Sequence, residues 1–133
     1  TCACDVFVPA ALENQIDEEI AAEMQCKFIV EGANGPTTAV ADKILEQRGI
    51  VLVPDIFANS GGVIVSYFEW VQNIQELTWE REQVNEMLEK LMTKAFAALY
   101  ETAQEKHCTL RMGAYVVALQ RLIDAEVIKG LFP

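Results

Sequence analysis

Two segments rich in glycine and asparagine carry the residues best suited to hold a small molecule: residues 31–38 (EGANGPTT) and residues 55–66 (DIFANSGGVIVS). Gly32, Gly35, Gly61 and Gly62 have no Cβ, so the backbone there can come close to a flat ring or a carboxylate. Asn34 and Asn59 each offer an amide with donors and an acceptor, chemistry that can read a carboxamide or a ribose hydroxyl. Glycine and asparagine are also ordinary turn formers, so residue type alone leaves turn and pocket both open. Neither segment is a G-x-G-x-x-G and no P-loop is present, so the sequence lacks a pyrophosphate cradle of either common kind.

Ser66 and Glu69 have the S-x-x-E spacing of a capping box, which predicts a helix over residues 67–73 with Ser66 at its start. A helix N-terminus carrying a hydroxyl is also a ready anion site, and the two roles are compatible. Asp55 could orient a ligand or form a turn. His107, the single histidine, stands near the end of a long helical run, where an imidazolium meets favourable carbonyls. No partner for acid–base chemistry stands beside it. No Ser/His/Asp or Cys/His set can be assembled, so no catalytic residue is assigned. Cys2 and Cys4 form a lone C-x-C without a second ligand pair, which gives no metal site. With Cys26 and Cys108 they are too sparse for a disulfide scaffold. Cys2 and Cys4 alternate on an extended run and point to opposite faces. All four are therefore expected as free thiols in a reducing compartment.

The elements that must position these residues follow from apolar patterning. Residues 5–9 (DVFVP), 27–31 (KFIVE) and 50–54 (IVLVP) are short apolar runs of the kind that form parallel strands covered on both faces. Between the last two, residues 38–48 predict a helix capped by Thr38 and stopped by Gly49, with Val40, Ile44 and Leu45 on one face. Strand, helix, strand at this spacing is a right-handed crossover unit, so the fold class is α/β. In such sheets ligands bind outside the carboxyl ends of the strands, which is where both glycine–asparagine segments begin. From residue 78 to about residue 106, apolar positions from Val84 to Ala103 recur at helical spacing. A second helix spans about residues 110–129, with Tyr115, Val116, Leu119, Leu122, Ile123 and Val127 as its stripe and Gly130 as its stop. Both stripes are expected to be core. One folding unit of 133 residues with 52% hydrophobic content can bury a real core. A net charge of -10 repels nucleic acid and anionic membrane surfaces. No apolar run approaches the roughly 18 residues of a membrane span.

Residues 9–16 (PAALENQI), 31–38 (EGANGPTT) and 54–73 (PDIFANSGGVIVSYFEWVQN), with residues 115–121 (YVVALQR) in the final helix, resemble the C-terminal part of glutamate dehydrogenases. The resemblance runs along essentially the whole chain, and residues 54–73 are its most specific part. Leucine and phenylalanine dehydrogenases share the Asn-x-Gly-Gly-Val element but not the SYFEWVQN continuation, so the chain is similar to the glutamate type.

The resemblance implies the C-terminal half of an NAD- or NADP-binding, Rossmann-like domain followed by two long helices. It implies contact with the nicotinamide half of the cofactor from Ala10, Ala11, Asn34 and Asn59. Gly62 and Val63 would line the amino-acid site, and Ser66 would bind the side-chain carboxylate of the substrate. The family's catalytic lysine and aspartate and its glycine-rich fingerprint match nothing in these residues. The expected function is therefore a share in the oxidative deamination of L-glutamate to 2-oxoglutarate and ammonia, within a cytoplasmic homo-oligomeric enzyme, and the chain alone is expected to be inactive. The alternative is a stand-alone, non-catalytic binding or interaction module built on the same scaffold.

Overall fold

A computed structural model describes residues 3–129. The expectations for Cys2 and for Gly130 fall outside that range. Strand β1 (Val6–Phe7), helix α1 (Glu18–Glu23), strand β2 (Phe28–Val30), helix α2 (Ala39–Gln47) and strand β3 (Val51–Val53) come first, followed by helices α3 (Asp55–Ala58), α4 (Ser60–Gln75), α5 (Arg81–Glu105) and α6 (Leu110–Lys129). The three strands form one sheet in the order β1-β2-β3. All pairs are parallel, with Val6 opposite Phe28, Phe28 opposite Val51 and Ile29 opposite Leu52. The fold is α/β with a short parallel sheet and two long C-terminal helices.

Each crossover helix is started by a side chain that satisfies a free backbone amide. Asp17 accepts from Ile20 N at the start of α1, a helix that residue patterning does not single out. Thr38 Oγ1 accepts from Ala41 N and starts α2, and Gly49, at φ +73°, ends it in the left-handed conformation that a side chain would strain. Arg48 then donates to the carbonyls of Ala21 and Met24, tying the ends of α1 and α2 together.

The core lies on one face of the sheet, where Ile29 and Leu52 meet Ala21 and Met24 of the α1 region and Ala41 and Leu45 of α2. The expectation that the strands are covered on both faces is corrected: Val6, Phe28 and Val51 share the opposite face and are all exposed. Both crossovers have fallen on the same side, which leaves the other face open among the described residues. Val40 is likewise exposed, and Ala41 takes the buried place on α2 instead.

The two long helices pack as a hairpin at Gly113. A Cβ built there would meet the Leu99 carbonyl oxygen at 2.8 Å and Ala103 Cβ at 3.0 Å. Beyond that crossing the apolar stripe of α6 is not core in this chain: Leu119, Leu122, Ile123 and Val127 are exposed. A stripe is buried only where a neighbouring element reaches it, and none of the described residues covers these positions.

Candidate functional site

The carboxyl ends of β1 and β2 are zipped together by their following loops. Pro9 O accepts from both Gly32 N and Ala33 N, at 3.0 and 2.9 Å. Asn14 N donates to Gly35 O and Ile16 N to Pro36 O, both at 2.8 Å. Gly32 is pressed against Ala10, whose Cβ would lie 3.1 Å from any Cβ added there. Gly35 sits at φ +54°, a conformation that lets the loop fold back toward β3. There its N–H donates to Asp55 Oδ2 at 2.7 Å.

Asn59 is the single residue between α3 and α4, serving as the C-cap of one and the N-cap position of the next. Its Nδ2 donates to Asn34 Oδ1 at 2.6 Å and to Gly32 O at 3.4 Å, so the two glycine–asparagine loops are joined side chain to side chain. The result is an open cleft of about 780 Å³ whose walls include Ala11, Asn34, Asn59, Gly62, Val63 and Ser66. That volume is in the range of small-molecule sites. Ala10 stands behind Gly32 and is not part of the wall. A second cavity of about 520 Å³ lies between α2, β3 and the α5–α6 hairpin, but it contains none of the loop residues at the strand ends.

One local expectation is corrected. Ser66 does not begin a helix: α4 starts at Ser60, and Ser66 lies almost two turns inside it. The capping box with Glu69 therefore does not exist, and Ser66 has no helix N-terminus to lend it an anion site. Glycines at 61 and 62 weaken a helix by about 1 kcal/mol each, which favours a later start. The first turn nevertheless forms, with Ser60 Oγ donating to Phe57 O at 2.7 Å and Gly61 packed toward Leu88 of α5. The exposed Ser66 hydroxyl is thus carried on a continuous helix whose first two turns also present Gly62 and Val63 to the cleft.

Residue patterning misses the polar group beneath the cleft. Glu31, at the end of β2, is fully buried. Its Oε2 accepts from Asp55 N at 2.8 Å and its Oε1 from Arg111 Nη2 at 2.7 Å. Arg111 also donates from Nε to Asp42 Oδ2 at 3.0 Å and brings Nη1 within 3.6 Å of Asp55 Oδ1. Burial by itself would lower the pKa of this guanidinium; the hydrogen bond and charge of Glu31, then Asp42, outweigh it and raise it. A buried carboxylate of this kind is tolerated only when paired. The available signal was an acid closing an otherwise apolar strand run; its partner lies 80 residues away.

His107 takes φ +51° in the α5–α6 turn and stays outside the cleft. Cys4, Cys26 and Cys108 are free. Cys4 lies before β1 rather than on it, its N–H donating to Gln25 O at 3.0 Å. Among the described residues no group of three His, Cys, Asp or Glu side chains could hold a metal ion, and no helix is long and apolar enough to cross a membrane.

A parallel sheet with crossover helices and a ligand-sized cleft at the carboxyl ends of its strands defines the class of α/β proteins that bind small molecules at that edge. The family model for Glutamate/Leucine/Phenylalanine/Valine dehydrogenase matches residues 1–130. The cryptic catabolic NAD-specific glutamate dehydrogenase of Bacillus subtilis is 50% identical over 127 residues, which cover 96% of this chain and 30% of that protein. A glutamate dehydrogenase structure from Peptoniphilus asaccharolyticus superposes with a TM-score of 0.88 at 46% identity, covering 94% of this chain and 32% of that one. The hetero-hexameric glutamate dehydrogenase of Thermus thermophilus gives a TM-score of 0.92 at 35% identity, over 97% and 31% of the two chains. The chain belongs to the Glutamate/Leucine/Phenylalanine/Valine dehydrogenase family. It spans about 30% of the length of the curated relatives it matches.

Proposed function

We propose that this chain is the C-terminal portion of an NAD-dependent glutamate dehydrogenase and forms one wall of its active site, the wall against the nicotinamide and the substrate side chain. The observation that carries the reading is the cleft itself, which gathers Asn34 and Asn59 on one side and Gly62, Val63 and Ser66 on the other. The donor set suits a nicotinamide: paired side-chain amides for a carboxamide or ribose, and an open glycine surface for a flat ring. When bound, the cofactor supplies the acceptor for the hydride that leaves the α-carbon of glutamate.

The residues of this chain bind and orient. Ala11 and Gly32 give a close backbone wall, Asn34 and Asn59 hold the carboxamide end, and Ala10 supports Gly32 from behind, beside the ribose. Gly62 and Val63 line the amino-acid site, and the Ser66 hydroxyl donates to the side-chain carboxylate of glutamate. No acid or base for the chemical step is assigned to this chain; those groups come from residues beyond it, as does the pyrophosphate cradle. NAD rather than NADP is proposed because the similar Bacillus enzyme is described as NAD-specific. A cytoplasmic homo-oligomer is the form proposed for the whole enzyme.

The test is an assay of the full-length protein that carries this sequence. Glutamate-dependent reduction of NAD is expected, with little reduction of NADP and no turnover by the 133-residue chain alone. Absence of glutamate-dependent turnover in the full-length protein, or turnover by the chain itself when free of longer enzyme, would overturn the reading.

A further inference from the structure

Beneath the cleft, a single guanidinium ties together the roots of both site loops. Arg111 is fixed in the first turn of α6, where Thr109 Oγ1 accepts from Met112 N at 3.2 Å. Its side chain is mostly buried, 19% exposed. It meets Glu31 at the start of the first loop and Asp55 at the start of the second. Those two acids are themselves joined, Asp55 N donating to Glu31 Oε2 at 2.8 Å. Asp55 then reaches back across the gap and accepts from Gly35 N at 2.7 Å, immediately after Asn34 in the chain. The Asn34–Asn59 pair is therefore held from both ends: by its own side-chain bond above and by the Arg111–Asp55–Gly35 path below.

We infer that Arg111 and Asp55 are positioning residues for the cofactor: they set the distance between the two asparagine loops and touch no ligand themselves. The inference rests on the proposed binding of NAD in the cleft. An arrangement needed only for folding would require an opposite charge for the buried Glu31, which Arg111 supplies without the Asp55 side chain. It would not require Asp55 to spend an acceptor on the Gly35 amide, since that amide sits on an exposed loop where water is available. The bond fixes where Asn34 stands, and an amide that reads a carboxamide must be placed to within a fraction of an ångström.

The experiment uses the full-length enzyme and follows NADH binding by the fluorescence of the bound cofactor, beside glutamate KM and the melting temperature. Asp55→Ala leaves the Arg111–Glu31 pair intact. It is expected to weaken NADH binding about ten-fold, the equivalent of one hydrogen bond to a charged group. Glutamate KM should stay within about two-fold, because Ser66 rides on α4, whose own backbone bonds are untouched. Arg111→Lys keeps a charge for Glu31, but a single ammonium cannot also span Asp42 and Asp55, so NADH binding should weaken about three-fold or more. Met24→Ala, in the core away from the cleft, is the control for lost stability: a lower melting temperature with NADH affinity within about two-fold.

NADH affinity unchanged in Asp55→Ala, with only the melting temperature lowered, overturns the inference. If that variant does not fold, unchanged affinity in Arg111→Lys overturns it equally. A wild-type enzyme that binds no NADH would instead remove the dehydrogenase reading, and the inference with it.

Discussion

The side-chain amide of Asn59 donates to Oδ1 of Asn34 across 2.6 Å, joining two loops that are 25 residues apart in the chain. That bond, with the second from Asn59 to Gly32 O, engages the donors of Asn59 and leaves its acceptor and the Asn34 amide group for a ligand. In the full-length enzyme, Asn59→Ala is expected to weaken NADH binding by about ten-fold and Asn34→Ala by about two- to ten-fold, the range for neutral hydrogen bonds. Asn59 has the larger effect because its loss removes both bonds between the loops, to Asn34 and to Gly32 O, whereas Asn34→Ala leaves the bond to Gly32 O in place. A titration with NADH that shows no change in either variant would remove both residues from the proposed cofactor site.

Ser66 lies inside α4, so its replacement by alanine removes no cap. Alanine is the better helix former, and the stability of Ser66→Ala should therefore lie within about 0.5 kcal/mol of wild type. A contact to a charged carboxylate is worth about 1.5–3 kcal/mol, which predicts a loss of roughly ten- to a hundred-fold in kcat/KM for glutamate. The side-chain carboxylate is remote from the reacting carbon, so the loss should appear in KM more than in kcat. Norvaline, which lacks that carboxylate, should be little affected. Equal losses on glutamate and norvaline would show that Ser66 does not read the carboxylate.

Gly113 is where α6 crosses α5, and the backbone of Leu99 is the obstacle there rather than the tip of a flexible side chain. Gly113→Ala should force the helices apart and cost about 1–3 kcal/mol, typical of overpacking a tight contact. Thermal unfolding reads this directly. A melting temperature at or above wild type would mean that the crossing yields freely.

The Cys26 thiol is held above the ordinary thiol range, first by burial and then by the charge of Cys4, with Arg48 opposing. The thiolate is the reactive form, so at a given pH a raised pKa means less thiolate and slower alkylation. The exposed Cys4 should be modified first, and Cys26 severalfold more slowly, with a rate that keeps rising as the pH is taken well above neutral. In denaturant the chain should titrate as four free thiols. Equal rates for Cys4 and Cys26 in the folded chain would contradict the shielding.

The sequence by itself determined the α/β class, the strand positions, both long helices and the two loops at the strand ends. These depend on local rules: β-rich apolar runs, helical spacing, Thr38 before α2 and Gly49 after it. It also determined the family, through the motifs at residues 9–16, 31–38 and 54–73. Only the tertiary structure decided what those elements do to one another. The start of α4 at Ser60 overrode a well-formed S-x-x-E signal, because packing against α5 carried the helix through two glycines. Which stripe residues are buried depended on what lies opposite, so Leu99 is core while Leu119, on an equally regular stripe, is exposed. The partnership of Glu31 with Arg111 could not be read at all. Each is an ordinary charged residue in its own segment, and the energy of pairing them exists only once 80 residues of chain have folded to put the guanidinium against a carboxylate that water cannot reach.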